Sequence, residues 1–225
     1  MSHYRQWAVA ASLLAAGWTV SAASGQDDEG PWRKLLEERG IVVSAREQAG
    51  QELPSFRGQG EVKGSVLHVL AVVLDDARTK EWAKNADEAE VLRTLDARTQ
   101  LVYTRSHQTW PIRDRDLVMK RTVEVLEPGA AFRVRLVCVP GEKPEIPAAI
   151  RIKDCDTVFV LRKVDEQTTH VDYRVRADPG GSNPAWAVRW ASKSIPLDTL
   201  VALRKQVLKT KGAYSEVIRS WSSAS

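Results

Sequence analysis

One arginine occupies a position that a strand pattern would bury. From Leu117 onward apolar residues recur at every second position, Leu117, Met119, Val123 and Val125, and Arg121 shares their parity. A regular strand therefore turns the Arg121 guanidinium to the apolar side, where an unpaired charge is costly. It must meet a carboxylate, backbone carbonyls or the polar head of a ligand there; a bulge after Met119 would instead return it to solvent. The chemistry on offer is recognition: one cation in an apolar wall can orient an amphipathic molecule.

Aromatic side chains supply the rest of the candidate contact set. Trp186 and Trp190 are four apart on a predicted C-terminal helix, a spacing that stacks both rings on one face. Tyr103 and Tyr173 fall on predicted strands and offer a ring surface and a hydroxyl. Met119 on the alternating strand and Leu200 on the last helix complete the set with apolar surface. For the two tryptophans and the two tyrosines, plain core is the more common role of such residues.

Catalytic patterns are missing. His68, His107 and His170 have no metal-ligand spacing with one another or with Cys138 and Cys155, and no Gly-x-Ser-x-Gly elbow occurs. Gly180-Gly181 is not followed by the Gly-Lys-Ser/Thr of a phosphate loop. Asp114, Asp116, Asp154 and Asp156 are four of 29 acids and read as solvated strand ends. No catalytic residue, metal or cofactor is expected.

The elements that must position these residues follow from periodicity. Trp32, Leu35, Leu36 and Val43 have helical spacing and predict a helix from Trp32 to about Glu47, weakened at Gly40. A polar extended stretch over 53–63 leads to Ser65, an N-cap for an apolar helix over 66–74, with a further helical piece over 77–84. Alternation then predicts strands between 91 and 177, clearest at Phe132, Val134, Leu136, Cys138 and at Val171, Tyr173, Val175, Ala177. Glu127-Pro128-Gly129 and the 140–147 segment supply turns. Pro184 suits a first helical turn, and Pro196 predicts a break or kink near Ile195. Beyond it Leu197, Leu200, Val201, Leu203, Val207 and Leu208 share one helix face. The order helix, helix, strands, long helix predicts one α+β domain.

A chain of 225 residues fits one domain with accessory segments. Residues 1–23 read as a signal peptide, with Arg5, the apolar run Trp7 to Val20 and the small residues Ser21-Ala22-Ala23. That run is shorter than the roughly 20 residues a membrane span needs. Residues 24–30 read as a linker, 31–219 as the folded domain and 220–225 as a serine-rich tail. The mature protein is expected to be exported, to the bacterial periplasm or outside the cell. The net charge of +4 is spread over interspersed charges of both signs, with no concentrated basic stripe. Nucleic acid is therefore not an expected partner, whereas transient contact with anionic headgroups is compatible with the charge.

Cys138 and Cys155 would share an oxidising compartment, which invites a disulfide. A hairpin between 132–139 and 150–160 puts Cys138 opposite residue 150. The resulting offset of roughly 17 Å is far beyond the reach of about 7 Å between Cα atoms. Bridging then requires a bulge or another register, and two buried thiols are the alternative.

Two separated signatures, Trp110-Pro111-Ile112-Arg113-Asp114-Arg115-Asp116 and Asp178-Pro179-Gly180-Gly181 followed by Pro184-Ala185-Trp186, resemble those of the START domain, the lipid-transfer module related to steroidogenic acute regulatory protein. Arg78-Thr79-Lys80-Glu81-Trp82 and Ile150-Arg151 match in the same order. Ala83 departs from the Asp common after that Trp, and the export signal departs from many familiar members. The resemblance covers about Trp32 to Tyr214. It implies a helix-grip fold: a curved antiparallel β-sheet wrapped around a long C-terminal helix, with an internal apolar cavity and a charged residue near the Arg121 strand position. It also implies binding and transfer of a lipid or other hydrophobic molecule without catalysis; the chain is expected to act as a monomer. An enzyme of the cyclase type on a related fold and a protein-binding module with a collapsed cavity are the alternatives.

Overall fold

Alternating side chains and tight turns lay down ten strands in one sheet among the described residues. The computed structural model describes residues 30–49, 53–110, 112–180 and 194–223. The predicted signal peptide, Pro184, Trp186 and Trp190 lie outside the described residues. The strands are β1 (Arg33–Glu38), β2 (Ile41–Arg46), β3 (Ser55–Lys63), β4 (Ala86–Asp96), β5 (Thr99–Ser106), β6 (Asp114–Glu127), β7 (Ala131–Cys138), β8 (Ala149–Arg151), β9 (Cys155–Asp165) and β10 (Thr168–Ala177). Their order is β1-β2-β3-β10-β9-β7-β6-β5-β4, and every pair along this path is antiparallel. The short β8 alone runs parallel, beside the first residues of β6.

The helix expected from Trp32 to Glu47 is instead the β1–β2 hairpin. Arg39 and Gly40 both have positive φ, 53° and 66°, the geometry of a two-residue turn whose twist matches antiparallel strands. Ile41, Val43 and Ala45 then face the core at a period of two. With so short an apolar run, the leucine spacing fits a strand pair as well as a helix.

Among the described residues the helices are α1 (Val66–Leu74), α2 (Ile195–Lys209) and α3 (Ser215–Ser223). Ser65 caps α1, its hydroxyl accepting from the His68 backbone N–H. Asp75 ends α1 and starts a 3-10 turn over Asp76–Glu81, where a further helical piece was expected. Pro196 lies in the first turn of α2, where its missing N–H costs nothing. Among the described residues no helix is long and apolar enough to cross a membrane.

Both α1 and α2 pack on the concave face of the sheet. Leu200, Leu203 and Val207 of α2 and Val69, Leu70 and Val72 of α1 join Val62, Val123, Phe132, Val134, Leu161 and Val171 in the main core. Close approach of α2 depends on one glycine in β3 and one just after it: a Cβ at Gly58 would lie 2.9 Å from Pro196 Cβ, and one at Gly64 would lie 2.6 Å from Val207 Cγ1. This is the curved antiparallel sheet with C-terminal helices of the helix-grip fold.

Candidate functional site

The concave faces of β5, β6 and β7 carry a second apolar cluster, separate from the main core. Cross-strand pairing puts Val102 opposite Met119 and Met119 opposite Cys138, so all three point the same way. Val102, Met119, Ile152 and Cys155 are buried there, and Leu117, Leu136, Cys138 and Ala177 around them are only half-buried. An apolar shelf on the concave side thus keeps part of its surface accessible.

Arg121 stands at one end of this shelf. It is 3% exposed on the concave side of β6, next to Gln100 across the β5 pairing. Asp76, at the start of the 3-10 turn, accepts from Arg121 Nη1 at 2.9 Å and Nη2 at 2.7 Å, and Gln100 Oε1 accepts from Nη2 at 2.6 Å. Of the alternatives for Arg121, the fold realises the internal carboxylate pair. Its Nε is buried with no hydrogen-bond partner among the described residues. A pocket of about 230 Å³ opens beside the pair, walled by Leu74, Val91, Val123 and Trp221.

The opposite end is tied by the two signatures. Arg115 faces the concave side and donates from Nε to the Pro179 carbonyl at 3.2 Å and from Nη1 to the Arg113 carbonyl. Burial pulls the Arg115 pKa below its ordinary value, and the Arg113 charge adds to the shift. The next residue, Asp116, points to the convex side. There it accepts two hydrogen bonds from Arg151, 2.9 and 2.8 Å, in a pair that is almost wholly buried. Arg151 also donates to the carbonyls of Pro140, Lys143 and Pro144, pinning the loop after β7 to the sheet. The Arg-Asp signature is thus a brace with one residue on each face.

The expected contact residues divide by face. Met119 and Arg121 lie on the concave side as their parity requires. Tyr173 also lies there, packed at 4.6 Å against Phe159; burial pushes its hydroxyl up to about 12, with a Thr199 hydrogen bond from α2 opposing the shift. Leu200 is 1% exposed, lies in contact range of Gly58 on β3 and belongs to the main core rather than to the shelf. Tyr103 is the correction. It pairs with Val118, whose side chain is on the convex side, and lies buried under the loop with Lys143 Nζ 3.6 Å from its ring centre. Burial pushes its pKa up to about 12, with the Asp116 charge adding to the shift. It cannot share a site with Met119. Trp186 and Trp190 lie outside the described residues.

Cys138 and Cys155 form a disulfide with Cα atoms 5.1 Å apart, at the edge of the shelf. The expected offset fails because the strand after the loop begins at Cys155. Residues 149–151 belong to β8, which pairs with β6, and the β7–β9 register places Val137 opposite Asp156. The two cysteines are then neighbours across the ladder.

The START domain family matches residues 18–211 of this chain. An uncharacterized protein of Pseudomonas aeruginosa is 27% identical over 197 residues, covering 88% of this chain and 95% of the relative. The phosphatidylcholine transfer protein of Bos taurus is 25% identical over 167 residues, covering 72% of this chain and 78% of its own. Among solved structures, a STAR-related lipid transfer protein from Xanthomonas axonopodis superposes with a TM-score of 0.72 at 29% identity, covering 79% of this chain and 98% of that one. The sheet order, the concave helices and these matches together establish that the chain belongs to the START domain family.

Proposed function

We propose that this protein binds one lipid or other hydrophobic molecule against the concave shelf and carries it, without chemistry, between membrane surfaces. The observation that carries the reading is the half-buried apolar surface around Met119, with a single ion pair, Arg121 with Asp76, at its end. Burying ligand on such a surface yields about 25 cal/mol per Å² of apolar area, while the pair supplies a polar reference for orientation. The names of the bovine and Xanthomonas relatives support lipid transfer as the activity.

The ligand contacts in this reading are Met119, Arg121 and Tyr173 with the shelf residues around them, and Trp186 and Trp190 from the segment before α2. The protein acts as an exported monomer in the periplasm or outside the cell, touching membranes transiently. The Cys138–Cys155 disulfide supports the oxidising compartment.

Native mass spectrometry of the exported protein, followed by organic extraction, tests the reading. A stoichiometric lipid released on extraction is the expected result. A ligand-free protein that also takes up nothing from a broad lipid panel would overturn it.

A further inference from the structure

The convex face gathers arginines that the linear sequence scatters. Outward side chains of β3, β10, β9 and β7, with the ends of β1 and β2, line a trough of about 710 Å³. Its lining holds seven arginines, no lysine and two acids, Asp156 and Asp172.

The register explains the concentration. Arg57 of β3 is directly opposite Arg174 of β10, Arg174 is opposite Val158 of β9, and Val158 is opposite Arg135 of β7. One row further, Asp172 faces Val160, which faces Arg133; beyond it His170 faces Arg162. Val158 therefore has a guanidinium on each side, and Val160 has Asp172 on one side and Arg133 on the other, so the two valines form an apolar floor between charged rows. Like charges directly opposed on neighbouring strands are destabilising, and a fold keeps them where something else is gained.

Part of the array is held in place. Asp172 accepts from Arg57 Nε at 3.0 Å and from Arg174 Nε at 3.0 Å. Burial raises the Asp172 pKa, yet the hydrogen bonds from Arg174 and Arg57 outweigh it and keep the group below the ordinary carboxylate value. Arg46 and Arg57 both lie over the Trp32 ring, at 4.5 and 5.4 Å. Arg162 is exposed and has no ion pair among the described residues. Pre-aligned guanidiniums lose little freedom when an oxyanion arrives.

We propose that this trough is a binding site for a ligand bearing phosphate groups, separate from the concave shelf. Arginine without lysine selects planar, two-point recognition of oxyanions over diffuse attraction. A carboxylate offers two coplanar oxygens, a role Asp172 already fills. A phosphate offers three terminal oxygens in a tetrahedron, which guanidiniums on different strands can share. The Val158–Val160 floor suits a ligand whose anionic groups are joined by less polar atoms.

Isothermal titration calorimetry of the exported protein with sodium tripolyphosphate tests the site, alongside co-sedimentation with vesicles of phosphatidylglycerol and phosphatidylcholine, and of phosphatidylcholine alone. Arg57→Gln/Arg174→Gln removes the held pair, and Arg135→Gln/Arg162→Gln removes two exposed side chains, of which Arg135 makes a surface pair with Asp156 of small expected worth to folding. Arg93→Gln/Lys209→Gln removes the same charge elsewhere. The expected result is saturable binding weakened about tenfold or more by each trough variant and hardly by the control. Tripolyphosphate binding without vesicle binding identifies a free polyphosphate as the source, and vesicle binding confined to phosphatidylglycerol identifies a headgroup; either supports the site. Equal weakening by the control variant, hexaglutamate binding as tightly as tripolyphosphate, or no binding to either probe overturns it. Lipid uptake on the concave side is scored independently by mass spectrometry, so failure of one reading is distinguishable from failure of the other.

Discussion

Arg121 and Asp76 meet through two parallel hydrogen bonds of 2.9 and 2.7 Å, joining the middle of β6 to the first residue of the 3-10 turn after α1. Both side chains are largely withdrawn from water, at 4% and 14% exposure. Removing one partner strands the other, which typically costs about 3 to 5 kcal/mol, whereas replacing both with apolar groups is often nearly neutral. Asp76→Leu and Arg121→Leu are each therefore expected to lower stability strongly, and the double variant Arg121→Leu/Asp76→Leu to recover most of the loss. Urea unfolding of the two singles and the double measures the coupling. If the double variant is as unstable as the sum of the singles, the pair is not the unit it looks like.

The disulfide should matter through the unfolded chain. Cys138 and Cys155 close a loop of separation 17, for which chain entropy gives about 3 kcal/mol of stabilisation. Cys138→Ser/Cys155→Ser is expected to fold with reduced stability and an unchanged sheet. Denaturant midpoints with and without reductant give the same comparison on the native chain. An unchanged midpoint on reduction would mean the bridge does not form.

How much of this was legible depends on whether a feature is local. The alternation through Met119, Arg121 and Val123 placed Arg121 inward, because one strand with one wet face announces its own parity. What Arg121 would meet was open, since Asp76 is 45 residues away and on no shared pattern. The strand pattern leaves the face of Tyr103 open, because its orientation depends on the β5–β6 register, which pairs Val102 with Met119 and so turns Tyr103 to the other side. The cysteine bridge was obscured by residues 149–151, which look like the start of a long strand and instead pair with β6. The arginine trough was invisible for the same reason: Arg133 with Arg135, and Arg174 with Arg176, are ordinary outward alternation until four strands stand side by side.

A histidine at the junction of three helices gives stability a pH dependence. His68 Nε2 donates to Thr210 Oγ1 at 3.1 Å, while the Thr210 hydroxyl donates to the Gln206 carbonyl at the end of α2. Tyr214, just before α3, sits 5.8 Å from the His68 ring and donates to Asp75 at 2.7 Å. Burial lowers the His68 pKa, with hydrogen bonding to the Thr210 backbone opposing the shift. The unfolded chain then binds the proton more tightly than the native one, so stability falls as pH drops below about 6.5. The urea midpoint is expected to decline between pH 7 and pH 5 in the native chain, and less in His68→Gln, whose amide can still donate to Thr210. Identical slopes would remove His68 from the account.

The contact between Gly58 and Pro196 decides how firmly α2 is seated, and with it how readily the concave side opens. A Cβ at position 58 would come within 2.9 Å of Pro196 Cβ and 3.2 Å of Leu200 Cδ1, so any larger residue must lift the first turn of α2. The far half of the helix is held separately: Arg204 donates to the carbonyls of Glu61 and Arg39, at 2.7 and 2.6 Å. Gly58→Val should therefore loosen the helix start while its second half stays docked, at a cost of about 1 to 3 kcal/mol, typical of overpacking. If movement of α2 gates exchange, transfer of a fluorescent lipid between vesicles should be faster in Gly58→Val, and slower in a variant whose helix start is cross-linked to β3, with equilibrium binding nearly unchanged in the latter. Two stable, folded variants that both transfer at the native rate would show that α2 stays seated and that the opening lies elsewhere on the concave rim.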